Sequence, residues 1–375
     1  MIIGVNTRLL QKDKLEGIGW FTYETLIRIT KNHPEHQFIF FFDRPFDASF
    51  IFSDNVKGVV LPPPTRHVII FIPWFELQIT NALKKYKVDL FLSPDGHLSL
   101  FSKVKSVAVI HDLNFLHLPQ FLPKIVRWYY NYYFPKFAKK ATQIATVSEY
   151  TKQDIVKSYG INSEKITVTF NGCNTKYAPI SLSAQETVRQ QFTNGKKYFL
   201  FIGLIIPRKN LVHLMLAFDV YKKQTGNDTL LVVIGEKKWW DTAHETTFQS
   251  LQYKHDVLFM GRLHPEILSQ LLASAIALTY VPVFEGFGIP ILEAFAAGTP
   301  VIAGNVTSMP EVAGDAALLA DPFNVADIAD KMKLLSADEN IRQELISKGL
   351  LRKTFFSWDK TAAKLWEAIE KAVKI

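Results

Sequence analysis

A chain of 375 residues with 48% hydrophobic and 21% charged side chains is long enough for two separate cores and too apolar for a disordered polymer. Cys173 is its only cysteine, which excludes an intrachain disulfide and favours a reducing compartment. Lys and Arg (43) outnumber Asp and Glu (35), a net charge of +8, which leaves nucleic acid, anionic lipid or an anionic substrate as partners.

The opening MIIGVNTRLL lacks a basic n-region and cleavage site, so it reads as a strand and not as a signal peptide. The nearly apolar runs around 67–75 and 271–284 are too short to span a bilayer, and Pro73 and Pro282 interrupt them. A cytoplasmic protein is expected. No helix-turn-helix, zinc-finger spacing or RNA-binding aromatic motif is visible, so no nucleic-acid partner is expected.

Met1–Arg8 supplies Ile2, Ile3 and Val5 to a first strand. Gly17-Ile18-Gly19 follows, then WFTYETLIRITKN, with helical periodicity through Phe21, Leu26 and Ile29. Strand, glycine turn and helix is a phosphate-site layout, and equally an ordinary flexible turn. The dinucleotide pattern G-x-G-x-x-G fails at Thr22, which argues against a nicotinamide cofactor. Residues 37–42 (QFIFFF), 56–61, Val88–Leu92 and Val107–Ile110 read as strands of a parallel, doubly covered sheet, with Pro62, Pro63 and Pro64 closing the second. The last runs into His111-Asp112, either a ligand-facing strand end or a histidine bound to backbone. Residues 121–140 interleave Trp128, Tyr129, Tyr130, Tyr132 and Tyr133 with Lys124, Arg127, Lys136, Lys139 and Lys140. That mixture suits a lipid headgroup zone or a helix packed on the sheet, and Pro123 and Pro135 are expected to limit any long amphipathic surface. Ile144–Val147 is a strand delivering Ser148-Glu149 to a helix over 149–159, and Ile166–Phe170 is the last strand of this half.

Residues 181–196 read as linker and short helix. Tyr198–Ile202 is a new strand ending at Gly203, followed by Pro207-Arg208-Lys209-Asn210 and a helix from Leu211. An Arg-Lys pair there suits a diphosphate, Arg as a planar fork and Lys as a point charge; solvated surface charges are the alternative. Leu230–Ile234 ends at Gly235-Glu236, before a loop of Lys237, Lys238, Trp239 and Trp240 that is cleft-facing or packed on the domain edge. Val257–Phe259 leads to Gly261-Arg262, 265–274 is a helix, and Ile276–Tyr280 feeds the stretch FEGFGIPILEAFAAG, residues 284–298. There Pro290 is expected as the first helical residue and Gly298 as the left-handed stop. Gly286 and Gly288 bracket Phe287 and let backbone approach a ligand. A helix N-terminus behind such a turn is an anion site, flanked by Glu285 in the loop and Glu293 in the first turn. A buried structural corner is the competing reading. Pro300–Ala303 is a strand, and 337–350 and 359–374 are helices. Strands alternating with helices argue a second parallel α/β domain.

The E-x7-E spacing of EGFGIPILE, continued by AFAAGTPVIAGNVTSMPEVAGDAALLADP up to Pro322, with TVSEYTK and FIGLIIPRKNL earlier, resembles the retaining glycosyltransferase family 4, which includes bacterial mannosyltransferases and sucrose synthase. The resemblance implies an α/β GT-B fold: two Rossmann-like domains facing across a cleft, with a C-terminal helix crossing back to the first. Residues 1–175 would form the acceptor domain, 176–355 the nucleotide-sugar donor domain, and 356–375 the returning helix. It further implies that Glu293 holds ribose hydroxyls and Glu285 positions the donor sugar. Gly288 and Ile289 would meet sugar or phosphates through backbone amides. Arg208 and Lys209 would clamp the diphosphate, and Gly203 and Gly235 would end the strands that line donor and nucleobase. Gly17 and Gly19 would approach the donor phosphate, His111 would lie against the sugar, and Ser148 would line the cleft. The catalytic set is thus Glu285, His111, Arg208 and Lys209.

No D-x-D and no clustered His/Cys spacing occurs in the sequence, so no metal is expected, and fixed cations with amide dipoles would stabilise the departing diphosphate. The donor would be GDP-mannose or a UDP-sugar, and the acceptor a glycan or lipid-linked saccharide in surface polysaccharide synthesis. An anionic membrane surface is a candidate partner of a peripheral enzyme. A sugar-nucleotide epimerase of the same architecture, or a non-catalytic nucleotide-sugar binder, are the alternatives.

Overall fold

The computed structural model describes residues 1–237 and 239–375, and the chain divides into two units. Met1–Gly172 with Ser357–Ile375 form the first and Cys173–Phe356 the second, so the sequence-based limits at 175/176 and 355/356 move to 172/173 and 356/357. Gly172 explains the new limit: a Cβ there would lie 2.3 Å from the Trp358 nitrogen, so this backbone lies against the start of the terminal helix.

Among the described residues the first unit carries β1 (Ile2–Asn6), β2 (Gln37–Phe42), β3 (Val56–Val60), β4 (Leu90–Ser93), β5 (Lys105–Ile110), β6 (Gln143–Thr146) and β7 (Ile166–Val168), in the order β3-β2-β1-β4-β5-β6-β7. The second carries β8 (Tyr198–Ile202), β9 (Leu230–Ile234), β10 (Val257–Gly261), β11 (Ala277–Tyr280), β12 (Val301–Gly304) and β13 (Leu318–Ala320), in the order β10-β9-β8-β11-β12-β13. Every pairing is parallel. Parallel sheets are covered on both faces, which is why runs such as QFIFFF and YFLFI are apolar without alternation and almost wholly buried. Strand order reverses between β1 and β4 in one sheet and between β8 and β11 in the other. These switch points are where the strand ends leave a crevice.

The terminal helix, Trp358–Lys374, starts with the Ser357 hydroxyl accepting from the Lys360 N–H and buries Trp358, Leu365, Trp366 and Ile369 within the first unit. Phe21 meets Trp358 edge-on at 6.3 Å, and Arg28 pairs with Asp359 at 2.6 Å. Local expectations change at four places. Gly17 and Gly19 are not a turn ahead of a helix: they are its first residues, in Gly17–Asn32, because the Glu16 carbonyl already accepts from the Trp20 N–H. Ile289, not Pro290, opens the helix Ile289–Ala297, since Gly288 takes the cap position at φ 98°; Glu293 therefore sits past the first turn. Pro135 does not end the helix Lys124–Lys140; the residue whose carbonyl it leaves unpaired, Asn131, is exposed to water. The apolar run around 67–75, given no secondary structure from sequence, opens the consecutive helical segments Val68–Pro73, Trp74–Ile79 and Thr80–Lys85. Gly298 is the left-handed stop, at φ 69°.

Candidate active site

In the second unit the switch point brings the loop after β8 against the loop after β11. Gly203 and Gly235 end β8 and β9 at φ 148° and 152°, and a Cβ on Gly235 would fall 1.8 Å from the Gly203 carbonyl oxygen. Glycine is required by that approach. Past Gly203 the chain makes the tight turn Pro207–Lys209, which Asn210 fixes by donating to the carbonyls of Val281 (2.9 Å) and Pro322 (2.7 Å). The Val283 N–H donates to the Arg208 carbonyl at 3.0 Å, so the two loops are joined by backbone as well.

Arg208, Lys209 and Glu285 converge there. The Arg208 Nη1 lies 2.5 Å and the Lys209 Nζ 2.6 Å from the same oxygen, Glu285 Oε1. Arg208 also donates to the Phe284 carbonyl at 2.7 Å, and Lys209 to the Tyr280 hydroxyl at 2.8 Å. Ser308 donates to the Glu285 carbonyl and Thr307 accepts from its N–H. Burial raises the Glu285 carboxyl, but Arg208 and Lys209 outweigh it and hold the group below the ordinary carboxylate range. Burial, aided by the Glu285 charge, pushes the Tyr280 phenol well up, so it stays protonated. Two cations on one carboxylate oxygen form a compact cationic site whose counter-ion an incoming anion can replace.

One helix begins beside this cluster. Gly288 caps Ile289–Ala297, and a Cβ on Gly288 would lie 3.6 Å from the Tyr280 ring. Tyr280 thus touches both the cationic turn and the helix N-terminus, two anion-favouring features. Glu293, a turn further on, is partly buried. Burial raises its carboxyl to about 7, against the hydrogen bond from Tyr177. Cys173 lies alongside, its thiol 3.6 Å from the Leu292 carbonyl and pushed up to about 12 by burial and the Glu293 charge. The loop after β9 is packed at the domain edge through Trp240, since the Lys237 ammonium sits 4.3 Å over Trp240 and 4.0 Å over Phe259. Trp239 is exposed, and Lys238 lies outside the described residues.

The remaining sequence candidates belong to the first unit. His111 follows β5 and donates from Nε2 to the Pro94 carbonyl at 2.7 Å, with its ring edge-on to Phe21 at 4.9 Å. Burial draws its imidazole below the ordinary value, opposed by that carbonyl. Ser148 is fully buried and caps the helix Glu149–Tyr159 by accepting from the Thr151 N–H. Thr151 donates in turn to the His111 carbonyl at 3.2 Å, so these two candidates are neighbours. Gly17 and Gly19 are helical, on the same helix as Phe21, whose ring meets His111. At this unit's own switch point Asn6 and Arg8 both donate to buried Asp95, at 2.8 and 2.6 Å. Sequence reading missed Tyr280, Tyr177, Asn210 and this Asn6–Arg8–Asp95 group. Only Asn210 carried a signal, as the residue after the Arg-Lys pair at a strand-to-helix turn.

Two parallel α/β units with a C-terminal helix returned to the first make this a GT-B protein. Residues 184–352 match the family described as glycosyl transferases group 1, and residues 16–177 match glycosyltransferase family 4. The O-antigen chain mannosyltransferase B of Escherichia coli is 30% identical over 279 residues, 74% of this chain and 73% of that one. The O-antigen chain mannosyltransferase RfbU of Salmonella typhimurium is 29% identical, over 78% and 75%. Among solved structures, Anabaena HepE in complex with UDP-glucose superimposes with a TM-score of 0.73 at 17% identity, covering 99% of both chains. The chain belongs to glycosyltransferase family 4.

Proposed function

We propose that this glycosyltransferase moves a hexose, mannose in the first instance, from a nucleotide-sugar to a glycan or lipid-linked acceptor in surface polysaccharide synthesis, with retention of configuration and without a metal. The observation that carries the reading is the Arg208–Lys209–Glu285 cluster beside the Ile289 helix N-terminus. The names of the two O-antigen relatives support mannose, hence GDP-mannose as donor, and the UDP-glucose of the HepE structure keeps a UDP-sugar as the alternative.

In this mechanism the donor diphosphate takes Arg208 and Lys209 from Glu285, with its charge also facing the amides of Gly288 and Ile289. The bond from the anomeric carbon to the phosphate oxygen breaks as the acceptor oxygen bonds the same face of the sugar. The acceptor's proton passes to the departing phosphate oxygen, so no side chain acts as base. Glu285, released from its ion pairs, positions the sugar, and Glu293 accepts from the ribose hydroxyls. His111 contributes to turnover from the first unit. The enzyme works in the cytoplasm, peripherally at a membrane. A panel of GDP- and UDP-sugars, assayed in EDTA for thermal stabilisation and turnover with the product anomer read by NMR, tests this. A single stabilising donor and a retained anomer are expected; an inverted anomer, or turnover that returns only with magnesium, would contradict the proposal.

A further inference from the structure

The helix Lys124–Lys140 has two unlike faces. Tyr129, Phe134, Phe137 and Ala138 are buried, whereas Lys124, Arg127, Trp128, Asn131 and Tyr132 form an outward stripe at helical spacing. These five residues line a shallow depression of about 430 Å³. Trp128 and Tyr132, 54% and 48% exposed, stack in parallel at 5.7 Å, and the Lys136 ammonium sits 3.3 Å over the Tyr132 ring. The helix has five cations and no acidic residue.

A second stripe runs beside it. Along the helical segments from Val68 to Lys85, Ile69, Pro73 and Leu77 recur every fourth residue and all are exposed. Phe101, 71% exposed, is held next to them because the N–H groups of Leu100 and Phe101 both donate to the buried Glu76 carboxylate at 3.0 Å. The two helical regions pack through Phe71 and Tyr129, whose rings meet edge-on at 5.7 Å. Tyr133 bridges toward the first stripe, with its ring 5.0 Å from Tyr132.

We propose that the two stripes are one docking face by which the first unit lies on an anionic phospholipid bilayer. Aromatic and aliphatic side chains would enter the boundary between headgroups and acyl chains, with Lys124, Arg127 and Lys136 on lipid phosphates. The charge pattern selects this occupant. A symmetric second copy would set the same cations against each other, and a nucleic-acid backbone gives Ile69, Leu77 and Phe101 nothing apolar to enter. Among the described residues no helix is long and apolar enough to cross a membrane, so the contact is interfacial. The proposal leans on the glycosyltransferase reading only for the reason a bilayer is visited; vesicle binding measured without donor separates its failure from that of the transferase reading.

The test is co-sedimentation of the full chain with vesicles of phosphatidylcholine and phosphatidylglycerol (3:1) or phosphatidylcholine alone, at low and high salt. Wild type should pellet only with the anionic vesicles and be released by salt. The variant K124Q/R127Q/K136Q should lose about a hundredfold in affinity, roughly fivefold per charge, and I69S/L77S/F101S about tenfold or more. Lipids brominated along the acyl chain should quench the fluorescence of otherwise unmodified protein, with part of the quenching lost in W128F, a readout independent of whether the triple variants fold. Wild type that stays in the supernatant would overturn the proposal. So would triple variants that bind like wild type, absence of quenching, or a dimer in solution that the same substitutions dissociate.

Discussion

Glu293 and Tyr280 behave as their surroundings dictate, and each makes a prediction. A carboxyl that burial raises from 4.5 to about 7 keeps a proton in the folded chain over a range in which the unfolded chain has lost it. Stability of the second unit should therefore fall as pH rises from about 4.5 through 7, and Glu293→Gln should flatten that slope in pH-dependent melting. Ribose hydroxyls are best accepted by the ionised form, so nucleoside diphosphate affinity should rise over the same interval. Glu293→Ala should cost roughly 1.5–3 kcal/mol of that affinity, measured by calorimetry, with 2′- and 3′-deoxy analogues then binding the variant and wild type alike. Equal affinity in wild type and folded variant would remove the ribose assignment. Tyr280 holds the Lys209 ammonium by its hydroxyl at 2.8 Å. Tyr280→Phe keeps the buried ring, so melting should change by only about 0.5–1.5 kcal/mol, while kcat drops with little change in KM. A drop in stability with unchanged kcat would leave Tyr280 a core residue.

Among elements, the turns around the site are more constrained than the helices that carry them. Gly235 is the sharpest case, because any side chain there meets the Gly203 carbonyl at 1.8 Å and φ is 152°. Gly235→Ala should lower the melting temperature of the second unit and weaken nucleotide binding with it, whereas Gly226→Ala, at a helix end with open space around it, should affect only stability. Strand ends and glycine stops were legible in the sequence because apolar runs and Gly punctuate the chain there: QFIFFF is β2 residue for residue, and Gly298 ends its helix as expected. Where reading failed, a neighbour decided the outcome. Gly17 and Gly19 looked like a turn, phosphate-binding or ordinary, but the backbone had already entered the helix at Glu16. The stretch around 67–75 looked like a plain apolar run because Pro73 hides the helical period. Tyr280 was invisible as a site residue, since nothing in a strand's last side chain shows that Lys209, 71 positions away, will close on it.

For the molecule as a whole, parallel α/β construction with two switch points, one per sheet, explains why the candidate site residues concentrate at strand ends while the cores are built mainly from aliphatic and aromatic side chains. Arg208 and Glu285 were proposed from one motif each, and the sheet order joins them by setting β8 beside β11. Donor binding requires that junction to be a diphosphate site. The direct measurement is calorimetric binding of GDP, UDP and the matching monophosphates, in EDTA, to wild type and Lys209→Ala with equal melting temperatures. The diphosphate of the true donor should bind wild type at least tenfold more tightly than its monophosphate, about 1.4 kcal/mol, and Lys209→Ala should erase that difference. A variant that keeps the full preference for the diphosphate would contradict the account.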